Sequence, residues 1–146
     1  MICLIELQEI LKIWRNDLWP NRISEITGTS AMCFLGGYDL ENMKVNPICI
    51  GYKQDDKIIG VNSIHACNNG SYRSRGLFVY ESFRGQGIGI KLLNESVRIA
   101  RENYAEFLWS YPKQSSWKTY SAAGFNLSSD WEISENGINA YCIYQF

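Results

Sequence analysis

Apolar residues near the start of the chain recur at helical spacing: Leu7, Ile10, Leu11, Trp14 and Leu18, with charged and amide side chains between them. The pattern predicts an amphipathic helix from about Glu6 to Leu18, ended by Trp19-Pro20-Asn21. A short helix or turn is expected over Arg22–Thr27, closed by Gly28. The apolar run Ala31–Leu35, broken by Gly36-Gly37, reads as a short strand. From Ile48 the pattern shifts to alternation: Ile48–Lys53, a polar turn at Gln54-Asp55-Asp56, Lys57–Ala66, an Asn68-Asn69-Gly70 turn, and Tyr72–Tyr80. This predicts a meander of three antiparallel strands.

A glycine-rich stretch, Arg84-Gly85-Gln86-Gly87-Ile88-Gly89, follows the third strand and opens a segment whose Ile90, Leu93, Val97 and Ala100 share one helical face. Phe107–Tyr111 is a further apolar strand, stopped by Pro112. A right-handed crossover sets it parallel to and beside the strand ending near Tyr80. Lys113–Ala123 is a short helix with Trp117 and Tyr120 facing inward and Gly124 at its C-terminus. Trp131–Ser134 and Ile138–Gln145 are expected to pair as a closing hairpin around Glu135-Asn136-Gly137, with an exposed edge suited to dimerisation.

The chain has 146 residues, enough for one domain with a sizeable core. Hydrophobic content of 46% with 20% charged residues fits a soluble globular protein, expected in the cytoplasm, with no membrane partner. Lys and Arg number 14 against 15 Asp and Glu, so no overall positive field points to nucleic acid. The five cysteines (Cys3, Cys33, Cys49, Cys67 and Cys142) include no C-x-x-C pair and read as reduced core thiols. With a single histidine, no metal site is expected.

Glycines at a strand-to-helix junction let backbone N–H groups approach a bulky anion, and the helix dipole favours its charge, so Arg84–Gly89 reads as a phosphate cradle. It lacks the Gly-Lys-Ser/Thr ending of a Walker loop and the spacing of G-x-G-x-x-G. An antiparallel meander leading into the loop is also not how a dinucleotide-binding fold begins.

Two motifs resemble the GCN5-related N-acetyltransferases, the GNAT family. The family's acyl-CoA motif, Gln/Arg-x-x-Gly-x-Gly/Ala, stands here as Arg84-Gly85-Gln86-Gly87-Ile88-Gly89, and its Tyr-x-x-x-Gly-Phe helix as Tyr120-Ser121-Ala122-Ala123-Gly124-Phe125. A helix and a strand separate them, in the family's order. The resemblance covers Ile48–Phe146, and residues 1–45 correspond to a variable helical region. It implies one domain over residues 1–146 with an α/β fold: a mixed, mostly antiparallel sheet of six or seven strands, helices on both faces and a central splay.

The resemblance further implies an acyl-CoA-dependent N-acyltransferase that uses acetyl-CoA as co-substrate and an amine-bearing acceptor. The pantetheine arm would lie between the splayed strands against the backbone of Leu77, Phe78 and Val79. Arg84, Gly85, Gln86, Gly87, Ile88 and Gly89 would hold the pyrophosphate. Many relatives carry Arg or Lys where Gln86 stands, and Lys91 is a candidate to replace that charge. Tyr120 matches the family's general acid, a role that suits a phenol protonated at neutral pH.

No carboxylate stands where some relatives place a base, a position held here by Arg73. His65 is the candidate base, since its ordinary pKa is near neutral. Glu81 is expected to be solvated. Arg73 and Arg75 share one strand face and are candidates to bind a carboxylate or phosphate on the acceptor, with Arg15, Arg22 and Lys44 as extensions of that patch. The competing reading is a non-catalytic CoA-binding or interaction module on the same fold. Monomer and homodimer are both open.

Overall fold

The computed structural model describes residues 1–146. The chain opens with β1 (Ile2–Leu4), which pairs antiparallel with the later Ile48–Gln54 strand. Helix α1 (Leu7–Ile13) begins at a reciprocal capping box between Glu6 and Glu9, which satisfies amides at the open helix end. It continues as a π-helical turn, Trp14–Leu18. The expected meander is present as β2 (Ile48–Gln54), β3 (Lys57–Ala66) and β4 (Tyr72–Val79), antiparallel throughout. Asp55 and Asp56 turn β2 into β3, both at positive φ, as the hairpin twist requires.

Helix α2 (Ile88–Glu102) crosses over from β4 to β5 (Phe107–Ser110), which lies parallel to β4. Then follow α3 (Trp117–Ala122), β6 (Asn126–Leu127), a detached hairpin of β7 (Glu132–Ser134) and β8 (Gly137–Asn139), and β9 (Cys142–Gln145). The main sheet has seven strands in the order β1-β2-β3-β4-β5-β9-β6, antiparallel except for β4 with β5. The α/β fold with a mixed, mostly antiparallel sheet is therefore as anticipated.

Helices cover both faces. On one, Leu92, Leu93 and Val97 of α2 and Tyr120 of α3 pack with Ile50, Ile64 and Leu108 of the sheet. On the other, Ile10 and Trp14 pack against Cys49 and Val61. Burying these apolar faces is the main favourable contribution to the fold. No helix is long and apolar enough to cross a membrane.

Several local expectations are corrected. Arg22–Thr27 forms no helix. Ala31–Leu35 is not a strand: Leu35, Gly36 and Gly37 all take positive φ and reverse the chain, leaving a lone bridge between Met32 and Tyr38. The closing hairpin is split, because Cys142–Gln145 joins the main sheet between β5 and β6 rather than pairing with residues 132–134. Its outer side is covered by β6 at Cys142 and Ile143. Within α2, Leu93, Val97 and Ala100 are buried as read, but Ile90 is only half-buried and Ile88 and Leu92 complete the face. Of the five cysteines, all unpaired, only Cys49 and Cys142 are core thiols.

Candidate active site

The site grows from one irregularity in β4. Val61 pairs with Phe78 but Ser63 pairs with Arg75, so β4 carries an extra residue, a β-bulge, at Gly76-Leu77. Gly76 takes φ +79°, a conformation that favours glycine. A Cβ on Gly76 would lie 2.3 Å from the Trp14 ring. The Trp14 indole instead lies flush against the glycine and donates from Nε1 to Gly76 O at 2.9 Å.

Pairing of β4 with β5 is confined to Tyr72 with Leu108 and Arg73 with Trp109. Beyond that point the two strands part. The edge of β4 at Leu77, Phe78 and Val79 therefore has β3 on one side and no strand on the other. Two cavities fill the gap and share Leu18, Leu77, Lys113 and Ser116 as common walls.

The first, the loop cavity of about 630 Å³, runs along Leu77, Phe78 and Val79 to the glycine loop. Arg84, Gly85, Gly87, Ile88 and Gly89 line it, whereas Gln86 does not. Gly87 is the N-cap of α2 at φ +79° with no side chain capping the helix, so amides in the first turn are free to meet an anion. Cβ atoms built on Gly85 and Gly87 would meet nothing within 4 Å. Arg84 folds back, its Nε donating to Val79 O at 2.7 Å. Lys91 does not reach this cavity: its ammonium sits over the Tyr52 ring, 5.6 Å from the centroid. The lysines present are Lys113 and Lys118. Neither belongs to the two motifs that point to the site, although Lys118 stands two residues before Tyr120 in the motif helix.

The second, the arginine cavity of about 570 Å³, is lined by Arg73, Ser74, Arg75, Ser110 and Tyr120. Tyr120 is 3% exposed. Ser110 Oγ donates to Ser74 O at 2.8 Å and lies 3.3 Å from Tyr120 Oη. With the serine proton committed to that carbonyl, its oxygen is left to accept from the phenol. Burial pushes the Tyr120 pKa well above the ordinary phenol value, so its proton is held.

Arg73 and Arg75 lie on one face of β4, as their spacing predicts, opposite His65 and Ser63 of β3. Both are buried, at 7% and 3% exposure. The Arg73 guanidinium stacks on Trp109, 4.8 Å from its centroid, and that of Arg75 lies 5.0 Å from Trp14 and 5.3 Å from Trp19. Arg75 Nη1 donates to Thr27 O at 2.7 Å, but its Nη2 and the Nε and Nη1 of Arg73 are buried without partners. Burial lowers the Arg73 pKa to about 10. Burial, and then the charge of Arg73, push Arg75 down as well. Guanidinium is basic enough to stay cationic at neutral pH regardless.

His65 lines neither cavity. It is 1% exposed, its Nδ1–H donates to Ala66 O at 3.1 Å, and its Nε2 is buried without a partner. Burial first, then Arg73, lower its pKa to about 3, so the ring is neutral. Glu81 is exposed in a short 3-10 turn. Of the remaining basic residues, Arg22 joins the wall of the arginine cavity, while Lys44 pairs with Glu41 at 2.8 Å and Arg15 turns toward Ile26 O at 3.5 Å.

The family model for the acetyltransferase (GNAT) family matches residues 11–125. No curated protein sequence matches the chain significantly. Among solved structures, an IAA acetyltransferase from Bacillus cereus is similar at 19% identity and TM-score 0.71, covering 100% of this chain and 99% of its own. An acetyltransferase from Bacillus subtilis in complex with CoA aligns at 14% identity and TM-score 0.66, over 99% of this chain and 97% of that one. A proposed streptothricin acetyltransferase from Bacillus anthracis, in complex with acetyl coenzyme A, aligns at 15% identity and TM-score 0.65, over 100% and 97%.

Proposed function

The chain belongs to the acetyltransferase (GNAT) family, and from that premise we propose that it transfers the acetyl group of acetyl-CoA to a primary amine by direct attack in a ternary complex. The observation that carries this reading is the parting of β4 from β5 after Arg73 and Trp109, with one cavity leading to the glycine loop and another to Tyr120 and the arginine pair. The fold shared with the two relatives solved with CoA and acetyl-CoA supports that donor.

In this proposal the amides from Gly85 to Gly89 hold the pyrophosphate, with Lys113 and Lys118 adding positive charge. The open edge of β4 at Leu77, Phe78 and Val79 receives the pantetheine arm as a strand would. The amine reaches the thioester carbonyl from the arginine cavity, and its nitrogen forms the new C–N bond as the C–S bond breaks. An N–H of β4 near Phe78 or Val79 polarises the carbonyl oxygen. Tyr120 gives its proton to the departing thiolate, the surplus proton of the amine leaves to solvent, and solvent returns a proton to the Tyr120 phenolate, which closes the cycle. His65, neutral and outside both cavities, takes no part.

The test is release of CoA thiol from acetyl-CoA over a panel of primary amines. Release that depends on the amine supports the proposal. Thermal stabilisation by acetyl-CoA without release from any amine would favour the binding-module reading.

A further inference from the structure

We propose that the acceptor carries an oxyanion, a carboxylate or a phosphate, held by Arg73 and Arg75 a few bonds from the amine that is acetylated. This rests on the acetyltransferase reading and narrows the acceptor to a class.

Arg73 and Arg75 stand two residues apart on one face of a strand, so their Cα atoms are about 7 Å apart. Each is buried, and the three ion pairs in the structure, Lys44 with Glu41 and Arg98 with Glu95 and Glu102, involve neither. Buried cations without a carboxylate are costly, and aromatic faces offset that only in part. Yet the Arg73 guanidinium makes no hydrogen bond, and Trp109, Trp14 and Trp19 pack against the two planar groups. Donors that are fixed, unpartnered and beside a cavity are what planar recognition of an oxyanion requires.

The carboxylates on the same cavity wall are already occupied. Glu132 accepts from Tyr111 Oη at 2.6 Å, and Glu135 accepts from the Ile23 and Ser24 amides at 3.0 and 2.8 Å. Arg22 and Lys113 add further positive charge to that wall, and Arg22 Nε donates to Ser24 Oγ at 2.8 Å.

Spacing narrows the acceptor further. Ser74 lies between the two arginines, and its carbonyl holds the Ser110 hydroxyl that stands 3.3 Å from Tyr120 Oη. Tyr120, Arg73 and Arg75 also line one cavity, so the reacting amine and the oxyanion are received in a single chamber. A cavity of about 570 Å³ whose walls include Gly37, Tyr38, Ser134 and Asn136 suits a small molecule. An amino acid or an aminoalkyl phosphate meets each condition.

The experiment compares matched acceptors in the thiol-release assay: β-alanine against β-alaninamide for the carboxylate arm, and phosphoethanolamine against ethanolamine for the phosphate arm. The charged member of at least one pair is expected to have at least tenfold higher kcat/KM, and that preference to disappear in Arg73→Gln. A second readout needs no turnover: N-acetyl-β-alanine or O-phosphoethanolamine, but not the neutral counterpart, should raise the Tm of the protein without CoA. Equal or better use of the neutral members, with no difference in Tm, overturns the inference. Failure of acetyl-CoA to bind would sink the acetyltransferase reading alone, since the Tm difference is measured without it.

Discussion

Trp14 and Gly76 are locked together across 62 residues of chain, the indole Nε1 donating to the glycine carbonyl at 2.9 Å while the ring occupies the space of a side chain. The N-terminal helix thereby holds the bulge from which β4 diverges. Gly76→Ala sets a Cβ against that ring and imposes a left-handed conformation on alanine, so a loss of at least about 2 kcal/mol is expected. Urea unfolding measures it. The same variant should lose acetyl transfer, because the bulge sets the open edge of β4.

Gly87 offers a cleaner separation of strain from collision. It also has φ +79°, but a Cβ there meets no atom within 4 Å. Gly87→Ala is therefore expected to cost only about 1 kcal/mol in stability, while raising the KM for acetyl-CoA by crowding the helix start. Thermal unfolding and donor titrations read the two effects separately.

His65 makes the fold sensitive to acid. Its ordinary pKa of 6.5 falls to about 3 in the native state. Between these values the unfolded chain binds a proton that the folded chain does not, so stability rises with pH across the window. The contribution is complete above pH 6.5 and is lost progressively toward pH 3. From pH 6.5 to pH 5 the loss is about 2 kcal/mol. Unfolding free energies of the wild type and His65→Gln over this range should show the shallower slope in the variant.

Much of this architecture is legible in the residues themselves. The β2–β4 meander, the glycine loop and the crossover to β5 follow from alternation, turn chemistry and handedness. The elements that were missed depend on distant partners. Ile2–Leu4 is a strand only because Leu4-Ile50 and Ile2-Tyr52 pairing is available. Cys142–Gln145 leaves its neighbouring hairpin because a slot is open beside β5. The apolar run at Ala31–Leu35 is overridden by backbone reversal at Leu35-Gly36-Gly37. In the site, Arg73 and Arg75 were placed on one face by the period of the strand, but their lack of partners is a property of the fold alone. The bulge did leave a signal, an isolated glycine within a strand, at Gly76.

Thiol release by Tyr120→Phe isolates the proton that Tyr120 gives to the departing thiolate. The substitution removes the hydroxyl beside Ser110 and leaves the ring packed against Phe125, so the fold and acetyl-CoA binding should persist. Proton donation by Tyr120 predicts a fall in kcat of about 100-fold or more at saturating amine, with little change in the KM for acetyl-CoA. A variant with the kcat of the wild type would contradict it.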